Sequence, residues 1–94
     1  MHPLKTIISG GVPLSYTPEN IAELELLMLF DLANLQAGIK IHKTANPVAI
    51  AAAHRLFEKG FITQDDGGYL TNLGIQAAEH AQALFTLLNT PVGE

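Results

Sequence analysis

The sequence contains no cysteine, so disulfides, thiolate metal sites and thiol nucleophiles are excluded. Charge is also scarce. Only 15% of the 94 residues are charged against 48% hydrophobic, which excludes a disordered polyelectrolyte and implies substantial burial or a subunit interface. Long apolar runs are missing as well. Leu24 to Phe30 is far too short for a membrane span, and Met1 to Gly11 holds one lysine and too brief an apolar segment for a secretion signal, so a cytoplasmic protein is expected. No nucleophile elbow or phosphate-binding glycine loop occurs, and Ser9 and Ser15 fall in an irregular stretch, so neither an enzyme activity nor a cofactor is expected. The histidines His2, His42, His54 and His80 show no i,i+3 or i,i+4 pairing and no carboxylate at ligand spacing, so a metal site would require tertiary coincidence and none is expected. His80 is expected to be a partly buried helix-edge residue. At this length the chain is one domain.

What is present is strong punctuation over residues 46 to 74. Asn46 can cap a first helical turn, and Pro47 has its ring angle preset for the next position. The alanine-rich run that follows favours helix, with Lys59 suited to the last turn and Gly60 to a left-handed stop. At roughly 100° per residue, Ala49, Ala52, Ala53 and Leu56 share one face, with Ile50 and Phe57 at its edge. Ala51, His54, Arg55 and Glu58 project the other way, and the small alanines imply close approach of a neighbouring helix. Phe61 to Gln64 and Tyr69–Leu70 read as two strands joined by Asp65-Asp66-Gly67-Gly68, which tolerate positive φ. Thr71 then offers an N-cap to a helix beginning near Asn72.

The run from Leu56 to Gly74, with Leu56, Gly60, Ile62, Leu70, Thr71 and Gly74 at their particular spacing, resembles part of the winged helix-turn-helix regulators of the multiple-antibiotic-resistance-regulator type. The matching parts are the end of the recognition helix, the wing, and the "LT-x-x-G" helix start. Residues 16 to 89 also resemble a family of short, uncharacterised bacterial proteins, some carrying DNA-binding labels. The resemblance implies a bacterial, winged-helix, DNA-binding or transcription-regulatory protein.

Residues 1–16 lack a helical period and contain two prolines and a Gly-Gly pair, which predicts a flexible arm; translation from near Val12 is one expectation. Thr17-Pro18-Glu19-Asn20 starts a helix predicted to run to about Ala33. Its main stripe is Ile21, Leu24, Met28 and Leu32, with Leu26, Leu27, Leu29 and Phe30 on the remaining faces. A helix apolar nearly all round is buried all round, by a hairpin or by a second subunit, and a homodimer through this helix and the last one is expected. Gly38 to His42 alternates apolar with basic residues and predicts a third strand beside the hairpin. Between it and Asn46 there is no room for the usual first helix of a helix-turn-helix, so either the first helix substitutes or the motif is degenerate. The last helix, about Asn72 to Asn89, has Leu73, Ala77, Ala81, Leu84 and Leu88 on its stripe, flanked by Phe85 and Leu87. Gln76, Glu79, Gln82 and Thr86 lie opposite. Residues 90–94 form a tail.

The expected fold is thus α+β, mainly α and winged-helix-like: helix, short strand, helix, β-hairpin wing and C-terminal helix over residues 17–89. Within residues 38 to 60, Lys40, Lys43, Arg55 and Lys59 face only Glu58, whereas the remainder has Lys5 against eight acids. The acidic total of −4 therefore hides a basic patch that could meet phosphates. Candidate DNA-binding residues are Lys40, Lys43 and Lys59 at phosphates, with His54 and Arg55 at base edges. Asp65 and Asp66 at the wing tip would be repelled by backbone phosphates. The alternative is a protein-interaction module with a degenerate winged helix, presenting Val48, Ile50, Ala51 and Phe57 to a partner.

Overall fold

A computed structural model describes residues 15–92. Its elements are α1 (Pro18–Leu27), β1 (Ile39–Lys40), α2 (Pro47–Glu58), β2 (Ile62–Gln64), β3 (Gly67–Leu70) and α3 (Asn72–Leu88). This is an α+β, mainly helical, winged-helix-like arrangement. The expected translation start near Val12, most of the predicted arm and the last two residues of the tail lie outside the described residues.

α1 begins as its sequence requires. The Asn20 N–H donates to Thr17 Oγ1 at 3.0 Å and the Thr17 N–H to Asn20 Oδ1 at 3.2 Å, a reciprocal capping box with Pro18 just inside it. Its end is six residues earlier than the apolar run suggests. Asp31 accepts the Ala33 N–H at 2.9 Å and Asn34 accepts the Gln36 N–H at 3.3 Å. Both residues also offer their carbonyls to tight turns, to Asn34 and Ala37 respectively, so local side-chain acceptors outcompete the helix ladder. The early stop turns Phe30 into the core and leaves Leu29 outside. It also corrects the predicted stripe: Ala22, Glu23, Leu26 and Leu27 are buried, while Ile21 is exposed.

α2 matches its prediction closely. Asn46 Oδ1 accepts the Val48 N–H at 2.8 Å, and Ala52, Ala53 and Leu56 are buried. The helix is stopped by Gly60, just past the Lys59 cap, with φ of 84°. There the Phe61 N–H reaches the Leu56 carbonyl at 2.9 Å and the Gly60 N–H the Phe57 carbonyl at 3.0 Å, the paired bonds of a Schellman stop.

The sheet is antiparallel with order β1-β3-β2. The predicted third strand is present, with Ile39 opposite Gly68 and Lys40 opposite Gly67. Positive φ in the wing falls on Gly67 and Gly68, and both aspartates keep ordinary angles. β2 and β3 are out of step by a bulge between Ile62 and Gln64.

Thr71 joins the two halves. Its Oγ1 accepts the Gly74 N–H at 3.0 Å as the α3 cap and donates to the Gly60 carbonyl at 2.6 Å, while its N–H donates to the Phe61 carbonyl at 3.1 Å. One side chain therefore closes the start of α3 and the end of α2 together. Thr71→Ala is expected to lose about 1–2 kcal/mol by urea unfolding, and Thr71→Ser to retain most of it because the hydroxyl is kept. Equal losses in the two variants would assign the effect to the methyl group instead.

The core comprises Leu26, Leu27, Phe30, Ala53, Leu56, Ile62, Ala78 and Ala81. α3 thus uses Gly74, Ala78 and Ala81 inward, and the predicted stripe residues Leu73, Leu84 and Leu88 are exposed. Small residues let its backbone approach its neighbours closely, so its leucines are carried outside the contact. Gln82 is also corrected. It turns to α1, where Nε2 donates to the Phe30 carbonyl at 2.8 Å and the Leu27 carbonyl at 3.2 Å, satisfying acceptors at that helix end. Among the described residues, no helix is long and apolar enough to cross a membrane.

Candidate functional site

The five candidate DNA-binding residues are divided between two places. Lys40, Lys43 and His54 line one open groove of about 870 Å³ between the β1–α2 connection, the side of α2 and the wing tip. His42 joins them, and Ile41, Ile50 and Ala51 supply apolar wall. The wing's acids enter the same space. Asp66 Oδ2 lies 3.6 Å from Lys40 Nζ, both well exposed, a pair that screens charge more than it stabilises. The expectation that no carboxylate stands at ligand spacing from a histidine is corrected at His54, which has Glu58 one helical turn on at 3.2 Å. Among the described residues no group of three such side chains could hold a metal ion. His80 is exposed, not partly buried.

Arg55 and Lys59 face away from that groove. Arg55 Nε donates to Glu23 Oε2 at 2.6 Å, and Lys59 Nζ to Glu23 Oε1 at 2.8 Å. Arg55 Nη2 adds a bond to the Glu19 carbonyl at 3.3 Å. Arg55 was expected on the outward face, but α1 docks against the flank of α2 that carries residues 55 and 59, and Glu23 takes up both cations. Glu23 is only 7% exposed. Burial pushes its carboxyl up, but the bonds from Lys59 and Arg55 and their charges outweigh this and hold it below the ordinary carboxylate value.

Glu23 is the residue sequence reasoning missed, and a signal existed. It precedes Leu26, Leu27 and Phe30 by three, four and seven positions, so it belongs to their face, and an acid in such a stripe needs cationic partners. Its two partners are distant in sequence and could not be named from spacing.

With both cations paired to Glu23, the solvent side of α2 is mixed, its exposed apolar residues standing beside the His54–Glu58 pair and Lys59. Val48 is 60% exposed and Phe57 42%, with Ile50 and Ala51 exposed between them and His54–Glu58 as the polar element. No curated protein and no solved structure matches the sequence. Residues 14–89 match a family of unknown function, DUF5669, and the chain belongs to that family.

Proposed function

We propose that the chain is a non-enzymatic interaction module, a degenerate winged helix whose α2 presents an apolar face to a protein partner. The observation that carries this reading is the pairing of Arg55 and Lys59 with Glu23 while Val48, Ile50, Ala51 and Phe57 stand in solvent. A helix that reads a DNA groove aims donors and cations at base edges and phosphates. This one aims methyl groups and a ring, whose removal from water would contribute on the order of 1–2 kcal/mol per large side chain. A helix or groove on a partner would recognise Ile50 and Phe57, seven positions apart and so nearly in line on the helix, with Ala51 beside them.

A photo-crosslinking residue at Ala51 tests it. The expected result is a discrete protein adduct that persists through nuclease and high salt. Ile50→Asp and Phe57→Asp, each still folded by circular dichroism, are expected to weaken it at least about tenfold, the equivalent of 1.4 kcal/mol. Adducts that disappear with nuclease, or that ignore both aspartates, would sink the reading.

One observation favours DNA instead: Lys40, His42, Lys43 and His54 border a single groove. A gel shift at low salt that Lys40→Ala/Lys43→Ala abolishes would put that reading ahead. Its salt slope is expected to be shallow, about 2 per chain, because slope counts neutralised phosphates.

A further inference from the structure

We infer that the second half of α3 is a self-association surface, and that its occupant is the same surface of a second copy of this chain. The last inward anchors of α3 are Ala81, in the core, and Gln82, bonded to α1. Beyond them Phe85 is 54% exposed, Leu87 72% and Leu88 75%, with Leu84 and Val92 also exposed. Gln82 holds the carbonyl of Phe30, the residue after the exposed Leu29.

The helix end itself is finished. Asn89 Nδ2 donates to the Phe85 carbonyl at 2.8 Å and Thr90 Oγ1 to the Thr86 carbonyl at 2.6 Å, so terminal acceptors are met while the sides stay bare. A helical overhang this short is marginal in water without packing, because each added turn contributes little against its ordering entropy. Its leucines therefore need a cover that the described residues do not provide.

Charge selects the occupant. From Gln82 to Val92 there is no charged residue, in a chain whose net charge is −4. Two copies of an acidic protein repel each other over most of their surfaces, and a charge-free patch is where one can meet its own image. A basic partner would find no carboxylate there to pair with. Leu84, Leu87 and Leu88 form an i, i+3, i+4 stripe, which an antiparallel copy of α3 about a two-fold axis would cover residue for residue. With Phe85 the exposed apolar area of this segment is on the order of several hundred Å² per chain, the scale of a functional patch and a large part of the roughly 800 Å² a side of a standard interface. The surface is separate from the α2 face, so each can fail alone.

Light scattering on the full chain is the test. The parent is expected at twice the monomer mass, and Leu87→Glu/Leu88→Glu at the monomer mass with unchanged helicity. Phe85→Lys guards against misfolding of the double variant and is expected to give monomer too. Because the chain has no cysteine, Leu88→Cys reports the contact directly: a short bismaleimide is expected to link two copies there and not at Thr63→Cys, an exposed position of β2. A monomeric parent overturns the inference. So does a dimer that survives both charged variants, or one that cross-links no better at residue 88 than at 63.

Discussion

Gly74→Ala is expected to lower stability by about 3 kcal/mol, although the same exchange inside a helix ordinarily raises it by about 1 kcal/mol. The reversal comes from what the missing side chain leaves room for. A Cβ at residue 74 would drive into the Phe61 carbonyl oxygen, and would stand 3.2 Å from Leu70 Cδ2. The oxygen cannot step aside cheaply. Phe61 is bonded through its N–H to Leu56 and through its carbonyl to the Thr71 N–H, so a shift strains the stop of α2 and the entry to α3 together. For a domain of this size the loss corresponds to a fall in Tm on the order of 15 °C. Gly60→Ala is the matched control. Its Cβ meets nothing within 4 Å, and its cost of about 1–2 kcal/mol comes only from the left-handed backbone. A Gly74→Ala protein with the parent's urea midpoint would show that α3 does not press on Phe61, and the account of the junction would go with it.

That junction also shows why parts of the fold were legible. Asn46-Pro47, Lys59-Gly60, the Asp-Asp-Gly-Gly turn and Thr71 with Gly74 act on backbone groups within a few positions, so each signal stands next to its effect. The α1 terminus was harder because its apolar run continues past Leu27, and the deciding competitors are the side chains of Asp31 and Asn34. The α3 stripe misled for a different reason. Close approach selects Gly74, Ala78 and Ala81 for the contact, and leucines at helical spacing extend beyond the body they were expected to fill. Of the candidate site, Lys40, Lys43 and His54 share a groove, and Arg55 and Lys59 do not. Which flank of α2 meets α1 is a tertiary fact, and both partners of Glu23 lie more than thirty residues away.

Glu23→Gln is expected to cost roughly 2–3 kcal/mol near neutral pH, the scale of charge-assisted hydrogen bonds. The lower end is favoured because the Arg55 and Lys59 side chains are 29% and 46% exposed, so water partly compensates them. The amide keeps one acceptor but turns an N–H₂ toward a cation. The pH dependence separates this electrostatic cost from a packing change. Because the folded carboxyl titrates below its unfolded value, its contribution is complete above the unfolded value, about 4.3, and disappears as pH falls through the lower folded value. The stability gap between parent and variant is therefore expected to be widest above about pH 5 and to close in acid, read by urea unfolding across that range. A gap that stays constant with pH would mean that shape, not charge, holds Glu23 in place. The same variant bears on function, because it releases two cations at the flank of α2. If DNA retention by Glu23→Gln rises above the parent's at low salt, the buried carboxylate is what withholds positive charge from phosphates. If retention is the same as the parent's, Glu23 does not withhold positive charge from phosphates, and the proposed protein-binding reading of α2 keeps its support.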